Sequence, residues 1–358
     1  LSALRTQILK PGQKIRVLVV DDSVVIRRLV VHALEQDPAI EIVGVAANGA
    51  LALSRIPQCN PDVLTLDIEM PEMDGLALLR QLRPRYPHLR VVMFSTLTER
   101  GAAATLEALA LGADDYVTKA SNAGSLNVSL TNLREELLPK IHQFFAAPYA
   151  PAIPSHAPGP TLVRVPAGRR KAEVIAIGIS TGGPAALAAM IPALPANLAV
   201  PVLIVQHMPP LFTRFLAERL DAATPLTVRE GAAGDPVRPG HVYVAPGDHH
   251  MRVKKTADGV TLALDQGPPL NSCRPAVDAL FASIAEVYGA GAVGAILTGM
   301  GQDGLRGAEL LKAQGASIIA QDEASSVVWG MPGAVTGAGL ADQVLPLPQI
   351  AAALARLV

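Results

Sequence analysis

Residues 174–190 read VIAIGISTGGPAALAAM. A short apolar run from Val174 to Gly178 gives way to a turn holding Ser180, Thr181, Gly182 and Gly183, and Pro184 then opens an Ala-rich run. Glycine permits a tight turn and Pro suits the first helical position, so the stretch predicts strand, turn and helix in that order. Ser180 falls where the strand hands over to the helix N-terminus, beside backbone N–H groups that have no helical partner.

The turn by itself admits three readings. Gly178-Ile179-Ser180-Thr181-Gly182 fits the G-x-S-x-G nucleophile elbow, which presents Ser for attack on a carbonyl. Gly178, Ser180 and Gly183 also fall at the three fingerprint positions of a dinucleotide-binding turn. There the middle residue must let backbone approach a pyrophosphate, but here it is Ser, and the next strand ends in Gln206-His207 with no acid for a ribose. The third reading is a Gly-rich turn whose Ser caps the helix. Only residues elsewhere in the chain separate these.

The chain has 358 residues, enough for two domains each with its own core. Aromatic residues make up 3% and the formal net charge is -1, which gives no blanket attraction to nucleic acid or to an anionic membrane. The long apolar stretch 174–205 is broken by Gly182, Gly183, Pro184, Pro192, Pro195 and Pro201. It therefore reads as a buried strand-helix-strand unit, and no membrane insertion is expected. Cys59 and Cys273 lie far apart without redox or metal-ligand spacing, which points to a reducing cytoplasm and no disulfide.

Residues 1–14 read as an N-terminal extension. After them, apolar runs at Arg16 to Val20, Ile42 to Ala46, Val63 to Leu66, Val91 to Phe94 and Asp115 to Val117 alternate with helical patterns. Five such alternations predict a doubly wound parallel sheet, whose strand carboxyl ends gather in one crevice. Those ends carry Asp21 and Asp22, Asp67, Ser95 and Lys119. Converging carboxylates repel one another unless a cation sits among them, and hard oxygen ligands suit Mg2+. A hydroxyl and a lysine beside them suit an incoming phosphoryl group.

Residues 15–145 resemble a response-regulator receiver domain: the Asp pair after the first strand, the segment LTLDIEMPEMDGL, the Ser-Thr pair of MFSTLT, and the Lys of YVTKA. The resemblance implies that Asp67 is phosphorylated by a histidine kinase. It implies a Mg2+ held by Asp22, Asp67 and the carbonyl of Glu69, with Asp21 helping, and a switch made by Ser95 and Lys119. Ala120 departs from the Pro that is common in the family after the lysine.

Residues 146–172 contain Pro148, Pro151, Pro154, Pro158, Pro160 and Pro166, and closely spaced prolines neither continue a helix nor pair as a central strand. They read as a linker, with a second domain over 173–358. In that domain Val174 to Gly178, Val202 to Val205, Val293 to Leu297 and Ser317 to Ala320 read as strands. Helices are expected at Pro184 to Ile191, Pro275 to Tyr288, Gly304 to Gln314 and Pro348 to Leu357. Between them, His241 to Asp265 reads as short alternating strands around Gly247-Asp248 and Asp258-Gly259, an antiparallel hairpin excursion on a mostly parallel sheet. From Glu173 to Val358 there are 11 Lys and Arg against 15 Asp and Glu, a formal -4. A basic footprint for nucleic acid is lacking, so a DNA-binding output is not expected.

For Ser180 to be a nucleophile it needs a base and an orienting acid. His207 follows the second strand of this domain, and Asp303 lies in LTGMGQDGLRG after the strand Val293 to Leu297. All three fall on one carboxyl edge, although His249 and His250 are rivals for the base and Asp303 alone could be an ordinary N-cap. The order Ser, His, Asp differs from the Ser, acid, His order of α/β-hydrolases.

From about Ile15 to Val358 the chain resembles the chemotaxis methylesterase family CheB, through IGISTGG, VQHMPPLFT, YVAPGDHHM, NSCRPAVDALF and TGMGQDG, in family order. Ile179 stands where the family commonly has Ala. The resemblance implies a catalytic triad of Ser180, His207 and Asp303, with backbone groups near Thr181 and Met300 as the oxyanion hole. It implies hydrolysis of glutamate methyl esters and deamidation of glutamines on methyl-accepting chemotaxis receptors, with no cofactor in the esterase step and an N-terminal receiver acting as an inhibitory switch. Two other outcomes remain open at this point: the same triad acting on a different ester, and a docking module whose Ser-Gly turn only binds an anion.

Overall fold

The computed structural model describes residues 12–119, 126–145 and 171–358. The chain divides into two compact units, Leu1–Ala147 and Pro148–Val358. Ala120, most of the expected N-terminal extension and nearly all of the expected linker lie outside the described residues.

In the first unit, strands β1 (Ile15–Val20), β2 (Ile40–Ala46), β3 (Val63–Asp67), β4 (Arg90–Ser95) and β5 (Asp115–Thr118) alternate with helices α1 (Val24–Glu35), α2 (Gly49–Cys59), α3 (Gly75–Arg85), α4 (Glu99–Ala110) and α5 (Leu126–His142). The sheet runs β2-β1-β3-β4-β5, every pair parallel. Local chemistry starts the first four helices. Ser23, Asn48, Asp74 and Thr98 each accept a hydrogen bond from the backbone N–H three residues on, satisfying a donor that the helix leaves free. Strands β3 and β4 are buried along their whole length, as a parallel sheet covered on both faces requires.

The second unit holds β6 (Val174–Ile179), β7 (Val202–Gln206), β8 (Thr227–Glu230), β9 (His241–Val244), β10 (His250–Thr256), β11 (Gly259–Asp265), β12 (Ala292–Ile296), β13 (Ser317–Gln321) and β14 (Gln343–Leu345). Its helices are α6 (Gly183–Met190), α7 (Phe212–Asp221), α8 (Val277–Tyr288), α9 (Leu305–Ala313), α10 (Met331–Gly337) and α11 (Leu347–Ala355). Seven strands form one parallel sheet in the order β14-β13-β12-β6-β7-β9-β8. The first strand of the unit is thus its centre, and the chain leaves to either side of it.

Strands β10 and β11 form a separate antiparallel pair that packs on α8, where Val253 N donates to Ser283 Oγ at 3.0 Å. His241 to Val244, grouped with this hairpin by its alternation, belongs instead to the main sheet. Tyr243 is buried there with its hydroxyl bonded to the Pro236 carbonyl at 2.6 Å. Four residues of alternating character cannot distinguish an outer parallel strand from a hairpin arm. The core between sheet, hairpin and α8 includes Val174, Leu203, Tyr243, Met251, Phe281 and Ile296.

Candidate active site

β6 delivers Ser180 to the carboxyl edge of the sheet, and pairing with β7 brings His207 beside it. Ile179 is in register with Gln206, and His207 N donates to the Ile179 carbonyl at 3.2 Å, so Ser180 and His207 extend that pair by one residue. The chain turns at Gly182, whose φ of +78° suits glycine and whose place would bring a Cβ against Val327. On the other flank Ser180 N donates to the Thr298 carbonyl at 3.0 Å. Gly299 lies so close that a Cβ there would stand 2.7 Å from Ser180 Cβ. Glycine at 299 is what allows the loop after β12 to close on Ser180.

His207 Nε2 lies 2.8 Å from Asp303 Oδ2. The same carboxylate accepts backbone N–H groups of Val277 (2.6 Å), Asp278 (3.1 Å) and Gly304 (3.0 Å), and the amide of Asn271 (3.0 Å). Val277 and Asp278 are the first residues of α8, whose N-cap residue, Ala276, has no side chain to cap it. Asp303 therefore caps a helix from a distant loop, and that positive helix end favours its charge. Asp278 returns the arrangement by accepting Gly304 N at 3.0 Å and Gly307 N at 2.7 Å where α9 begins.

Burial alone would raise the pKa of Asp303, but the bonds from His207 and the backbone hold it below the usual carboxylate value. An ionised carboxylate only accepts, so Nε2 carries the proton of a neutral His207 and Nδ1 its lone pair. That Nδ1 faces Cys273 Sγ at 3.6 Å. Burial opposes a charge on the imidazole, yet Asp303 and Cys273 together push the His207 pKa up to about 9. Among the described residues no hydrogen bond joins Ser180 Oγ to His207; the two are neighbours through the backbone.

The rival histidines are engaged elsewhere. His250 is buried with Nε2 at 3.0 Å from the Pro268 carbonyl, and His249 Nδ1 lies 3.2 Å from the Gly247 carbonyl. Of the oxyanion candidates, Thr181 is buried in the turn with its carbonyl accepting from Thr298 Oγ1 at 2.9 Å, while Met300, beside Gly299, is exposed.

Three neighbours of the site lie in the motifs VQHMPPLFT and NSCRPAVDALF, which give them no role of their own. Gln206 is buried and its amide donates to the carbonyls of Ser180 (3.0 Å) and His207 (3.3 Å), tying the two loops together. Asn271, at a φ of +49° that Asn tolerates better than most residues, reaches both Asp278 and Asp303. Cys273 is the third.

In the first unit, Lys119 Nζ lies 2.7 Å from Asp67 Oδ2 and 3.0 Å from Asp21 Oδ2. Oxygens of Asp21, Asp22 and Asp67 come within 4.8 Å of one another. Burial first, and the Asp21 charge next, push the Asp67 pKa up to about 6 against the opposing pull of Lys119. Such a surplus of carboxylate is what a divalent cation relieves, so the donors fit Mg2+. Glu69 and Asp22 line a cleft beside them, with Arg100 across it 3.3 Å from Glu69. Ser95 Oγ donates to the Gly101 carbonyl at 3.1 Å and accepts from Thr105 at 2.6 Å, so it is held against α4.

Residues 175–354 match the CheB methylesterase family, and residues 17–131 match the response regulator receiver domain. A relative from Trichodesmium erythraeum named protein-glutamate methylesterase/protein-glutamine glutaminase is 47% identical, over 94% of this chain and 97% of that protein. The chain belongs to the CheB methylesterase family. A Caulobacter vibrioides member named protein-glutamate methylesterase/protein-glutamine glutaminase 2 is 50% identical over 94% of this chain and 96% of its own length. The crystal structure of the Thermotoga maritima CheB methylesterase catalytic domain is 46% identical, superposes with a TM-score of 0.52, and covers 53% of this chain and all of that one. The CheB domain here follows a receiver domain, and no helix among the described residues is long and apolar enough to cross a membrane.

Proposed function

We propose that this CheB-family chain hydrolyses glutamate methyl esters, and deamidates glutamines, on methyl-accepting chemotaxis receptors through Ser180, His207 and Asp303. The observation that carries this reading is the His207–Asp303 pair at 2.8 Å, set one register position from Ser180 on the central strands of the sheet. Nδ1 of His207 takes the Ser180 proton while Oγ bonds to the ester carbon, and the carbonyl oxygen becomes an oxyanion beside the backbone at Thr181 and Met300. When the carbonyl re-forms, methoxide leaves with the proton from His207 as methanol. Water, deprotonated by the same nitrogen, then releases the glutamate carboxylate. Asp303 fixes the tautomer and stabilises the imidazolium without taking the proton. A glutamine amide follows the same path with ammonia as the leaving group.

Residues 15–145 act as an inhibitory receiver, 146–172 as its linker and 173–358 as the catalytic domain. Asp67 accepts phosphate from a histidine kinase, and phosphorylation relieves the inhibition. Asp21, Asp22 and Asp67, with the Glu69 carbonyl, are the groups that would hold Mg2+, which would neutralise the oxygens of an incoming phosphoryl group. Lys119 then pairs with the phosphoryl oxygens and Ser95 turns from α4 towards them. The reaction is placed in the cytoplasm, where both cysteines stay free.

Labelling with a fluorophosphonate, followed by methanol release from methylated receptor, tests the reading. A protein that labels at Ser180 but leaves methylated receptor untouched acts on another ester. One that does not label is a docking module.

A further inference from the structure

We propose that Cys273 and His207 form a binding site for a thiophilic divalent cation such as Zn2+, and that the ion, once bound, switches the esterase off. The inhibitory half rests on the reading of His207 as the base; the site itself does not. Cys273 Sγ and His207 Nδ1 are 3.6 Å apart. Tetrahedral zinc, with bonds of about 2.3 Å to sulfur and about 2.0–2.1 Å to nitrogen, sets two such donors about 3.5–3.6 Å apart, so their spacing is that of two donors sharing one ion.

The nitrogen is also the correct one. Because Nε2–H is committed to Asp303 at 2.8 Å, Nδ1 is the nitrogen left on the side of the thiol. A ligating imidazole held at its other nitrogen by a carboxylate is the arrangement that fixes the ring and strengthens the ligand. Asp303 is anchored in turn by the α8 N-terminus and Asn271, so the imidazole has little freedom to turn away. Cys273 is placed by Asn271 and Ser272, both at positive φ, and by mutual backbone hydrogen bonds with Leu270 at 2.8 and 3.1 Å. Cys273 and His207 are both partly exposed, which leaves the remaining coordination positions open to water.

On binding, the Cys273 thiol, and the Nδ1–H of His207 where the ring is protonated, lose their protons to solvent, and the ion bonds to thiolate and neutral imidazole. The Nδ1 lone pair that Ser180 requires is then occupied, and proton transfer stops. A soft sulfur donor selects Zn2+ or Co2+ over Mg2+, so the carboxylates of the receiver and this site take different metals.

The test is a Co2+ titration of the full-length, chelator-treated protein in excess Mg2+, followed in the near-ultraviolet. A thiolate-to-cobalt band saturating at one ion per chain is expected. It should be bleached by Zn2+, lost in Cys273→Ser, weakened about tenfold or more in His207→Gln, and retained in Cys59→Ser and Ser180→Ala. In the active protein Zn2+ should cut methanol release about tenfold or more, with recovery on adding chelator. Absence of the band, or a band that follows Cys59, overturns the site. A band that follows Cys273, with methanol release indifferent to Zn2+, keeps the site but removes Nδ1 as the base, so the two readings fail separately.

Discussion

His207 turns Nε2, rather than Nδ1, towards Asp303, at 2.8 Å. The nitrogen left for the nucleophile is therefore the one beside the ring's attachment to the chain, and its surroundings set the working pH. An unperturbed histidine titrates near about 6.5. Here Asp303 and Cys273 outweigh burial and bring the value to about 9. Since the base must be neutral, activity of metal-free protein should rise with pH and level off above about 9, losing about tenfold for each unit below it. Cys273→Ala should move the midpoint down. Initial rates of methanol release in chelator-treated protein check both, and a plateau already reached at neutral pH would remove His207 as the titrating base.

Removing the nucleophile should cost more than disturbing the acid. Ser180→Ala is expected to lose on the order of 10^6-fold in kcat, and Asp303→Asn on the order of 10^4-fold, by analogy with serine hydrolases dissected in this way. Both should retain a folded far-ultraviolet spectrum. Ser180→Ala that still releases methanol at the parent rate would end the mechanism.

Asp278 is one step removed from the chemistry, yet it shares Asn271 and Gly304 N with Asp303. Asp278→Ala should lower kcat with little change in KM, and reduce thermal stability through the lost cap on α9, about 0.5–2 kcal/mol. Steady-state kinetics with thermal melts separate the two effects. A variant that melts earlier but turns over normally would show that Asp278 supports the helix alone.

Gly299→Ala would place a methyl 2.7 Å from Ser180 Cβ and 2.5 Å from Met331 Sδ. Something must move: the Met331 sulfur is nearest, and Ser180, at its Cβ and its backbone N, is next. A loss of roughly 10- to 100-fold in kcat is expected from misplacement on this scale, with fluorophosphonate labelling slowed in parallel. Unchanged labelling would mean that Met331 yields instead.

Acetyl phosphate with Mg2+ should phosphorylate Asp67, seen by mass spectrometry and lost in Asp67→Ala. Lys119→Ala should still take up phosphate but respond less, because its ammonium no longer meets the phosphoryl oxygens. If the receiver inhibits, the fragment 171–358 should outpace the unphosphorylated full chain by roughly 5- to 150-fold, the range of a coupling of about 1–3 kcal/mol. A folded fragment no faster than the intact chain would mean the receiver activates by a positive contact.

The strands, and which residues stand at their ends, are legible from spacing; the roles given to those residues rest on the family resemblance. Runs such as Val174 to Gly178 and Val202 to Val205 announce parallel strands because both faces are buried, and their ends place Ser180, His207, Asp303, Asp67 and Lys119. Helix α7 carries no start signal in the sequence, because it follows Leu211, at a φ of +71° with no side-chain cap. The sequence offers Asp303 as a triad member or an N-cap; the structure has it in contact with His207 while it caps α8, a helix whose N-terminus no spacing links to it. Cys273 meets a residue 66 positions away, and Asn271 one 32 positions away. Neither contact follows from periodicity, which is blind to what a cross-chain loop brings together.

The position of β6 has a consequence for biosynthesis. It is the first strand of its domain to leave the ribosome and the one that ends between both wings of the sheet. Its neighbour β12 is made more than a hundred residues later, and Asp303 stands 96 residues after His207. A nascent chain that has exposed Ser180, and even His207, has no Asp303 to bond the imidazole and no Gly299 loop beside the serine. With the proposed triad, the receiver is complete before Ser180 is made, and hydrolytic competence waits for Asp303, so the inhibitor precedes the activity it restrains.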